Sequence, residues 1–462
     1  MGAAELTMTK TSAWAISAGR RAWIPLAIFV FSFLAYYFSA AYLISPTHVE
    51  ARPVVGRYQH YLYLADAMLH GTLDLNKVGY PSGTHDLVAC EQNAICAPFP
   101  PGPSFLLMPF VAIAGQDFVE DFTDVGPLHG LGQDASQIIF TMIIGAINVT
   151  LLWYLLGLLR VGSWTRSVLP VFFAFGTVHF FTATTGTAWM FAHVTAVFYL
   201  LLAIIFMLRR APPVVPTVLV GLAFLSREPT ALAAPFFVYW YFRNNHDSLK
   251  ALINGEALRT KATLVQFGQF FAGALPFIVF WFWYNDVRFG GPLDTGYDIL
   301  YKYLYLPSNQ YSFYRGAFPN AGHFGLLDPR NIPLHLYTIF LMPPEYHPDL
   351  SVFRPNPYGL SVLVTSPAFV YAAFVKRKDP LVLASWVAIA AVSVPLFLHY
   401  SQGWVQFGYR FLLDFAPFLL ILTAFGFDDH TSRSARVLQV SLVAVSVLAG
   451  FWGRYWATLY GW

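Results

Sequence analysis

The chain has 462 residues, 57% of them hydrophobic and only 11% charged. Soluble domains carry roughly 25% charged residues because charge keeps a surface hydrated, so this composition excludes an ordinary soluble domain. A net charge of +3 excludes the strongly basic field of a nucleic-acid-binding protein. The 18% aromatic content suits the water–hydrocarbon boundary, where Trp and Tyr concentrate.

A bilayer-spanning helix needs about 20 apolar residues. In chain order, such runs cover 23–45, 137–159, 167–183, 188–208, 266–284, 358–375, 381–398, 411–427 and 437–451. Two shorter runs, 215–225 and 231–241, flank Ser226-Arg227-Glu228-Pro229 and are expected to be short or tilted spans with a break between them. A single interrupted hairpin that does not cross fully is the alternative. The predicted architecture is therefore an all-α, polytopic transmembrane bundle of about eleven spans. It becomes twelve if 102–114, which is apolar but short and expected to be re-entrant or interfacial, also crosses.

Basic residues gather on the cytoplasmic side of membrane proteins. Arg20 and Arg21, Arg160 and Arg166, Arg209 and Arg210, the stretch from Arg243 to Lys261, Lys376 to Lys378, and Arg433 with Arg436 all fall on one side if eleven spans alternate from an inside start. This predicts a cytoplasmic N-terminus and an outer C-terminus. It divides the chain into a cytoplasmic segment 1–22, a membrane region 23–284 containing a first outer loop 47–136, a second outer loop 285–357, and a membrane region 358–462. Structured loops of this length are usually functional.

The first outer loop carries Glu50 and Arg57, then a helical pattern in which Tyr58, Tyr61, Leu62, Ala65 and Leu69 share a stripe. An amphipathic helix on the membrane surface is expected, with Arg57 and Asp66 off the stripe. His60 lies in the same segment. Cys90 and Cys96 are near neighbours; in a loop facing an oxidising compartment they are a disulfide candidate, and otherwise two free thiols. Pro98, Pro100, Pro101 and Pro103 make a stiff entry to the short apolar run.

Further along, Arg227 and Glu228 fall at the outer end of a span. Ionisable residues at membrane depth are costly and usually functional; a cation there suits a lipid phosphate, and the alternative is a self-satisfied Arg–Glu pair. Arg410 opens a late span one turn before Asp414, again either a phosphate contact or an i,i+4 pair. His193 is expected either to line a cavity or, as a packing histidine, to satisfy itself within the core. The second loop, with Asp294 and Tyr297 in a turn-rich stretch, mixes polar and aromatic groups as sugar-binding surfaces do. There is no phosphate-cradling Gly-Lys-Ser/Thr loop and no His-Glu-x-x-His zinc motif.

Several of these features, in order, resemble the GT-C glycosyltransferases, multi-spanning enzymes that use polyprenyl-phosphate sugars. They are a first span leading to a large outer loop; the helix Tyr61-Leu62-Tyr63-Leu64-Ala65-Asp66-Ala67-Met68-Leu69-His70-Gly71; the Pro100-Pro101 entry to an apolar run; the stretch Gly221-Leu222-Ala223-Phe224-Leu225-Ser226-Arg227; Tyr284-Asn285 followed by Gly290-Gly291-Pro292-Leu293; and Gly408-Tyr409-Arg410. The resemblance covers most of the chain. It implies inverting sugar transfer on the outer face of a bacterial plasma membrane. The partners it implies are a polyprenyl-phosphate-linked sugar, membrane lipid and a glycan, lipid or protein acceptor, with no nucleic acid.

The resemblance also implies a first-loop carboxylate as general base, for which Glu50 and then Asp66 are the candidates. Arg227, Arg410 and Arg57 would hold the donor phosphate, and His60, Glu228, Asp294 and Tyr297 would line the substrate loop. Where family members carry an acidic residue just before the surface helix, this chain has Gly56-Arg57-Tyr58-Gln59. No motif demands a cofactor, and a divalent metal is compatible with the carboxylates. A lipid or solute transporter and a non-catalytic scaffold are the rival classes; a transporter would place charges deep in several spans.

Overall fold

A computed structural model describes residues 23–44, 49–51, 58–80, 86–118, 135–245, 254, 261–304, 324–348 and 351–460. Arg20, Arg21 and Arg57 lie outside these residues, as does most of the acidic stretch after 116. The protein is an all-α helical membrane protein. Among the described residues, six helices are long and apolar enough to cross a bilayer: α1 (Trp23–Ala41), α4 (Ser136–Leu158), α7 (Ala188–Leu208), α10 (Lys261–Phe289), α13 (Pro380–Leu398) and α15 (Arg433–Tyr460). A seventh crossing is supplied if α5 (Ser163–Phe175) and α6 (Val178–Thr185), bent by 51° at their junction, act as one span.

Shorter helices fill the sequence between them. The longer of these are α2 (His60–Leu69), α3 (Gly102–Ala114), α8 (Val214–Phe224), α9 (Ala234–Asn245), α11 (Tyr297–Leu304), α12 (Ile332–Phe340) and α14 (Ala416–Asp429). Much of the run at 358–375 is a 3-10 helix, Pro367–Phe374. Three two-stranded antiparallel ribbons complete the described fold: β1–β2 (Tyr42–Ile44, Val49–Ala51), β3–β4 (Val88–Ala89, Ile95–Cys96) and β5–β6 (Glu345–His347, Val352–Arg354).

Local chemistry sets several of these boundaries. Asp379 caps α13, its side chain accepting from the Leu381 amide at 2.8 Å, and Pro380 occupies the first turn, where its missing N–H costs nothing. Thr177 caps α6 in the same way at 3.2 Å, and Gly186 (φ 59°) ends it. The bend between α5 and α6 falls at Gly176-Thr177, where one helix stops and a capped one begins.

Burial separates the core from the periphery. In α7, 78% of the most apolar window is buried against protein, compared with 11% in α10 and 22% in α15. A helix apolar on all sides needs cover from protein or from lipid. Exposed Phe271, Val279 and Trp283 on α10, and Val445, Leu448 and Phe451 on α15, therefore face hydrocarbon.

The long helices define two ends. The Ser136 end of α4 meets the first loop, since the Leu62 amide donates to Gln137 Oε1 at 3.2 Å. The N-terminus of α7 meets the same loop, the Ala188 amide donating to the Tyr58 carbonyl at 3.0 Å. At the opposite end the Arg166 guanidinium covers the Trp153 ring at 3.8 Å and Arg209 covers Tyr154 at 5.0 Å. There Arg377 bridges Asp428 and Asp429 at 2.9 and 2.7 Å. Asp429 sits below the usual carboxylate range: partial burial works against its charge, and the Arg377 side chain with the Lys376 and Arg377 amides more than offsets this.

The first-loop helix differs from the expected surface helix. Tyr61, Leu62, Leu64, Ala65 and Ala67 are buried on more than one face of α2, and Leu69 is exposed. The physical reason is that α2 packs on α3, so its non-stripe side also finds protein.

α3 is seated by Gly102, whose amide donates to the Leu225 carbonyl at 2.6 Å. A Cβ there would lie 2.6 Å from the Leu225 carbonyl carbon and oxygen, which is backbone and cannot swing aside. Gly102→Ala should therefore push α3 off α8 and destabilise the protein by about 1–3 kcal/mol, read as a lower Tm in detergent. An unchanged Tm would mean this contact is not tight.

Candidate functional site

The site grows from the break after α8. The Arg227 amide still donates to the Ala223 carbonyl at 2.7 Å, but Arg227 itself is extended (φ −147°, ψ 104°) and Pro229 opens a 3-10 helix, Glu228–Ala233. Pro229 lacks an N–H and restricts the residue before it, so α8 cannot continue. The Arg227 guanidinium crosses to Asp414, with Nε at 3.1 and 3.2 Å from Oδ1 and Oδ2 and Nη2 at 2.9 Å from Oδ2.

Asp414 closes a 3-10 helix, Arg410–Asp414, just before α14 and is fully buried. Its Oδ1 also accepts from His193 Nδ1, 2.7 Å away on α7. That places a proton on Nδ1, and Nε2 is buried with no protein partner among the described residues. Asp414 thus pairs with Arg227 and not with Arg410. Arg227 keeps 19% of its side chain exposed, and its Nη1 meets no acceptor among the described residues.

The two candidate arginines converge on one ring. Their guanidinium carbons lie 5.2 Å (Arg227) and 5.4 Å (Arg410) from the Phe411 centroid. The rings of His193, His399 and His335 lie 5.8, 6.1 and 6.5 Å from the same centroid. Arg410 is held by Nη1 donating to the Trp404 carbonyl at 3.0 Å. His335 Nε2 faces the His399 carbonyl at 2.8 Å and must donate to it, so Nδ1 accepts from the Tyr409 hydroxyl at 2.8 Å.

Burial lowers the pKa of His335 and of His399 to about 4, and for His399 the nearby Arg227 and Arg410 add to the effect. Both imidazoles are neutral at neutral pH. The unfolded chain then binds more protons than the folded one between about pH 6.5 and 4. Stability should therefore fall as pH drops through that window. Thermal unfolding in detergent from pH 7.5 to 4.5 checks this, and His335→Gln should flatten the slope; a pH-independent Tm would count against buried neutral histidines.

A second cluster of aromatic rings gathers where α7 meets the first loop. Trp189, at the start of α7, donates Nε1 to Asp86 Oδ2 at 2.7 Å. The Tyr58 and His60 rings lie 5.0 and 5.8 Å from Trp189, and His60 and Tyr297 lie 5.5 and 6.3 Å from Phe99. His60 Nδ1 is 3.0 Å from the Tyr80 hydroxyl. Burial, and then Glu228, raises the Tyr297 phenol above its ordinary range, with Arg227, Asp86 and Arg288 also within its electrostatic reach. Tyr297 therefore keeps its hydroxyl proton, with both cationic and acidic side chains acting on it. Pyranose rings stack on aromatic faces while their hydroxyls seek such polar groups, so the arrangement can hold an anion and a sugar side by side.

Of the residues singled out from sequence, Arg227, Arg410, Glu228, His60 and Tyr297 come to this end together. Glu228 accepts from Trp281 Nε1 at 2.7 Å and does not pair with Arg227. Asp66 is engaged elsewhere, accepting from Gln116 Nε2 at 2.7 Å and lying 3.4 Å from His70 Nδ1. Asp294 caps its own turn by accepting from the Gly296 amide at 2.9 Å. Glu50 pairs through its backbone register with Leu43 in β1–β2; its side chain lies outside the described residues, as does Arg57. Cys90 and Cys96 are disulfide-bonded across the β3–β4 hairpin, their Cα atoms 5.9 Å apart.

Asp86 and Trp189 were not legible as site residues, because their meeting joins positions 103 residues apart. The left-handed backbone at Asp86 (φ 62°) is a trace that sequence could only hint at. Among the described residues no group of three His, Cys, Asp or Glu side chains gathers as metal ligands would.

Fold and site together define a multi-pass helical membrane protein with a buried arginine–aspartate–histidine centre at the end of the bundle that meets the first-loop segment. No family model matches the chain, and no curated protein matches it. Two solved structures are similar to it. One is the oligosaccharyltransferase of Archaeoglobus fulgidus in its apo form, 12% identical with a TM-score of 0.47, covering 93% of this chain and 55% of that one. The other is oligosaccharyltransferase AglB from Archaeoglobus fulgidus in complex with an inhibitory peptide and a dolichol-phosphate, 13% identical with a TM-score of 0.42, covering 95% and 56%. The chain spans about half the length of these structures.

Proposed function

We propose that this protein is a membrane glycosyltransferase that moves a sugar from a polyprenyl-phosphate donor to an acceptor hydroxyl at the outer face, with inversion. In this reading the chain crosses about eleven times with its N-terminus cytoplasmic. Arg227 and Arg410 hold the donor phosphate and Tyr297 hydrogen-bonds beside them. A first-loop carboxylate takes the acceptor proton. As that proton leaves, the acceptor oxygen bonds to the anomeric carbon, the bond from that carbon to the phosphate oxygen breaks, and polyprenyl phosphate departs with the electron pair.

The observation that carries the reading is the convergence of Arg227 and Arg410 on Phe411, with Asp414 orienting Arg227. A guanidinium oriented by a carboxylate and still open along one edge is suited to a phosphate oxygen, and stabilising a leaving phosphate is a large catalytic term. Among first-loop carboxylates, Asp86 has the best-supported claim to the base role. Its charge and that of Arg227 both act on the Tyr297 phenol, and Trp189 holds it against α7. Glu50 and Asp66 remain its rivals. The proposal places no metal ion.

The test is to supply purified protein with polyprenyl-phosphate-linked sugars and candidate glycan, lipid and peptide acceptors. Polyprenyl phosphate should appear together with glycosylated product. Movement of the intact donor between leaflets without cleavage would replace the proposal with a lipid transporter, and neither event would leave a scaffold.

A further inference from the structure

At the opposite end of the helices from Arg227, a cavity of about 400 Å³ opens between the start of α15 and the start of α5. It is lined by Trp164, Arg433, Arg436, Val437, Val440 and Ser441, with Thr431 at its edge. The Arg436 guanidinium stands 5.5 Å from the Trp164 ring. Trp164 is held in place by Nε1 donating to Gln439 Oε1 at 2.7 Å, and Gln439 Nε2 in turn donates to the Phe427 and His430 carbonyls at 3.0 and 2.9 Å. The indole wall of the cavity is therefore fixed in place.

Among the described residues its charge is uncompensated. The nearby carboxylates, Asp428 and Asp429, are both engaged by Arg377, and Asp428 also accepts from the Gly162 amide at 2.7 Å. Neither Arg433 nor Arg436 makes a side-chain hydrogen bond or ion pair among the described residues. Two unpaired guanidinium groups in one cavity ask for an anion with several acceptor oxygens.

The rest of the cavity says what carries that anion. Val437 and Val440 line it, and the exposed apolar face of α15 continues from them through Leu438, Val445 and Leu448. Trp164 sits where the polar end of the helix meets that face, as an interfacial indole does. A ligand with an anionic head and an apolar tail satisfies both parts, whereas a free phosphate uses only the arginines. We propose that this cavity binds the headgroup of an anionic phospholipid whose acyl chains lie along α15. The site is separate from the Arg227 centre, about 30 Å away along the spanning helices, and is independent of the glycosyltransferase reading.

The test reconstitutes the full-length protein in nanodiscs of phosphatidylcholine with 20–30% phosphatidylglycerol, roughly a physiological anionic fraction, and measures by native mass spectrometry the lipid retained after delipidation. Phosphatidylglycerol should be retained over phosphatidylcholine, and R433Q/R436Q should weaken that retention roughly thirtyfold, from two basic side chains near the surface. R433K/R436K keeps the charge and should keep most of the preference. Equal retention of both lipids by the wild-type protein, or unchanged phosphatidylglycerol retention in a folded R433Q/R436Q protein, would overturn the proposal. So would displacement of the lipid by millimolar glycerol phosphate, which would make the site one for a soluble phosphate.

Discussion

Asp86→Asn is expected to slow sugar transfer by about 10² to 10⁴, the usual contribution of a positioned general base, while leaving the protein folded. Several features keep the two effects apart. Asn retains an oxygen that can accept from Trp189 Nε1, the 2.7 Å bond that holds this residue against α7. Asn also tolerates the left-handed backbone found at position 86 (φ 62°) about as well as Asp does. What is lost is the negative charge beside the Tyr297 phenol.

The measurement is turnover with saturating donor, alongside donor binding and Tm, which should both stay close to wild type. Asp66→Asn should do much less, because Asp66 is occupied by Gln116 and His70. Glu50→Gln is the informative comparison. Full activity in Asp86→Asn with a loss in Glu50→Gln would transfer the role to Glu50, and full activity in all three variants would remove the first-loop carboxylate from the mechanism.

Arg227→Met should produce two losses that a second substitution separates. The first is in stability. Asp414 is fully buried and would keep its charge with only His193 beside it; breaking a buried pair from one side typically costs about 3–5 kcal/mol. The second is in donor binding, which should weaken by about one to two orders of magnitude, the worth of a charged hydrogen bond to phosphate.

Combining Arg227→Met with Asp414→Leu removes the orphaned charge, and apolar replacements of a buried pair are often neutral. Most of the lost Tm should return, short of full recovery because His193 Nδ1 loses its acceptor. Affinity for polyprenyl phosphate should not return. If it did, Arg227 would act through the fold alone and the phosphate site would have to rest on Arg410. Arg410→Ala should weaken donor binding on its own, without the stability loss that an orphaned Asp414 brings, since Asp414 pairs with Arg227.

These variants touch residues that the sequence marked to different degrees. Arg227 and Arg410 stood out because a lone arginine beside apolar runs is costly and asks for a reason. Asp414 also stood out, but with the wrong partner: helical spacing offered Arg410, and the 3-10 geometry of Arg410–Asp414 turned the carboxylate toward α7 and α8. Likewise Glu228 turned away from its neighbour Arg227 to the Trp281 indole. Adjacent charges in sequence are pulled apart when each can reach a better partner on another helix.

Composition alone dictates the solvent of this protein, because so apolar a chain cannot stay in water, and its long apolar runs set the length of the spanning helices. The sequence also located the break at Ser226-Arg227-Glu228-Pro229, since proline stops a helix wherever it falls. The burial of α2 on both faces was not in its residues, because an amphipathic stripe looks the same whether the other face meets water or α3. The pairing of Asp86 with Trp189, the Arg227–Asp414–His193 centre and the cavity that gathers Arg433, Arg436 and Trp164 were settled by tertiary structure. Each joins helices or loops distant in the chain, and no local periodicity records which helix becomes a neighbour once lipid, and not water, surrounds the bundle.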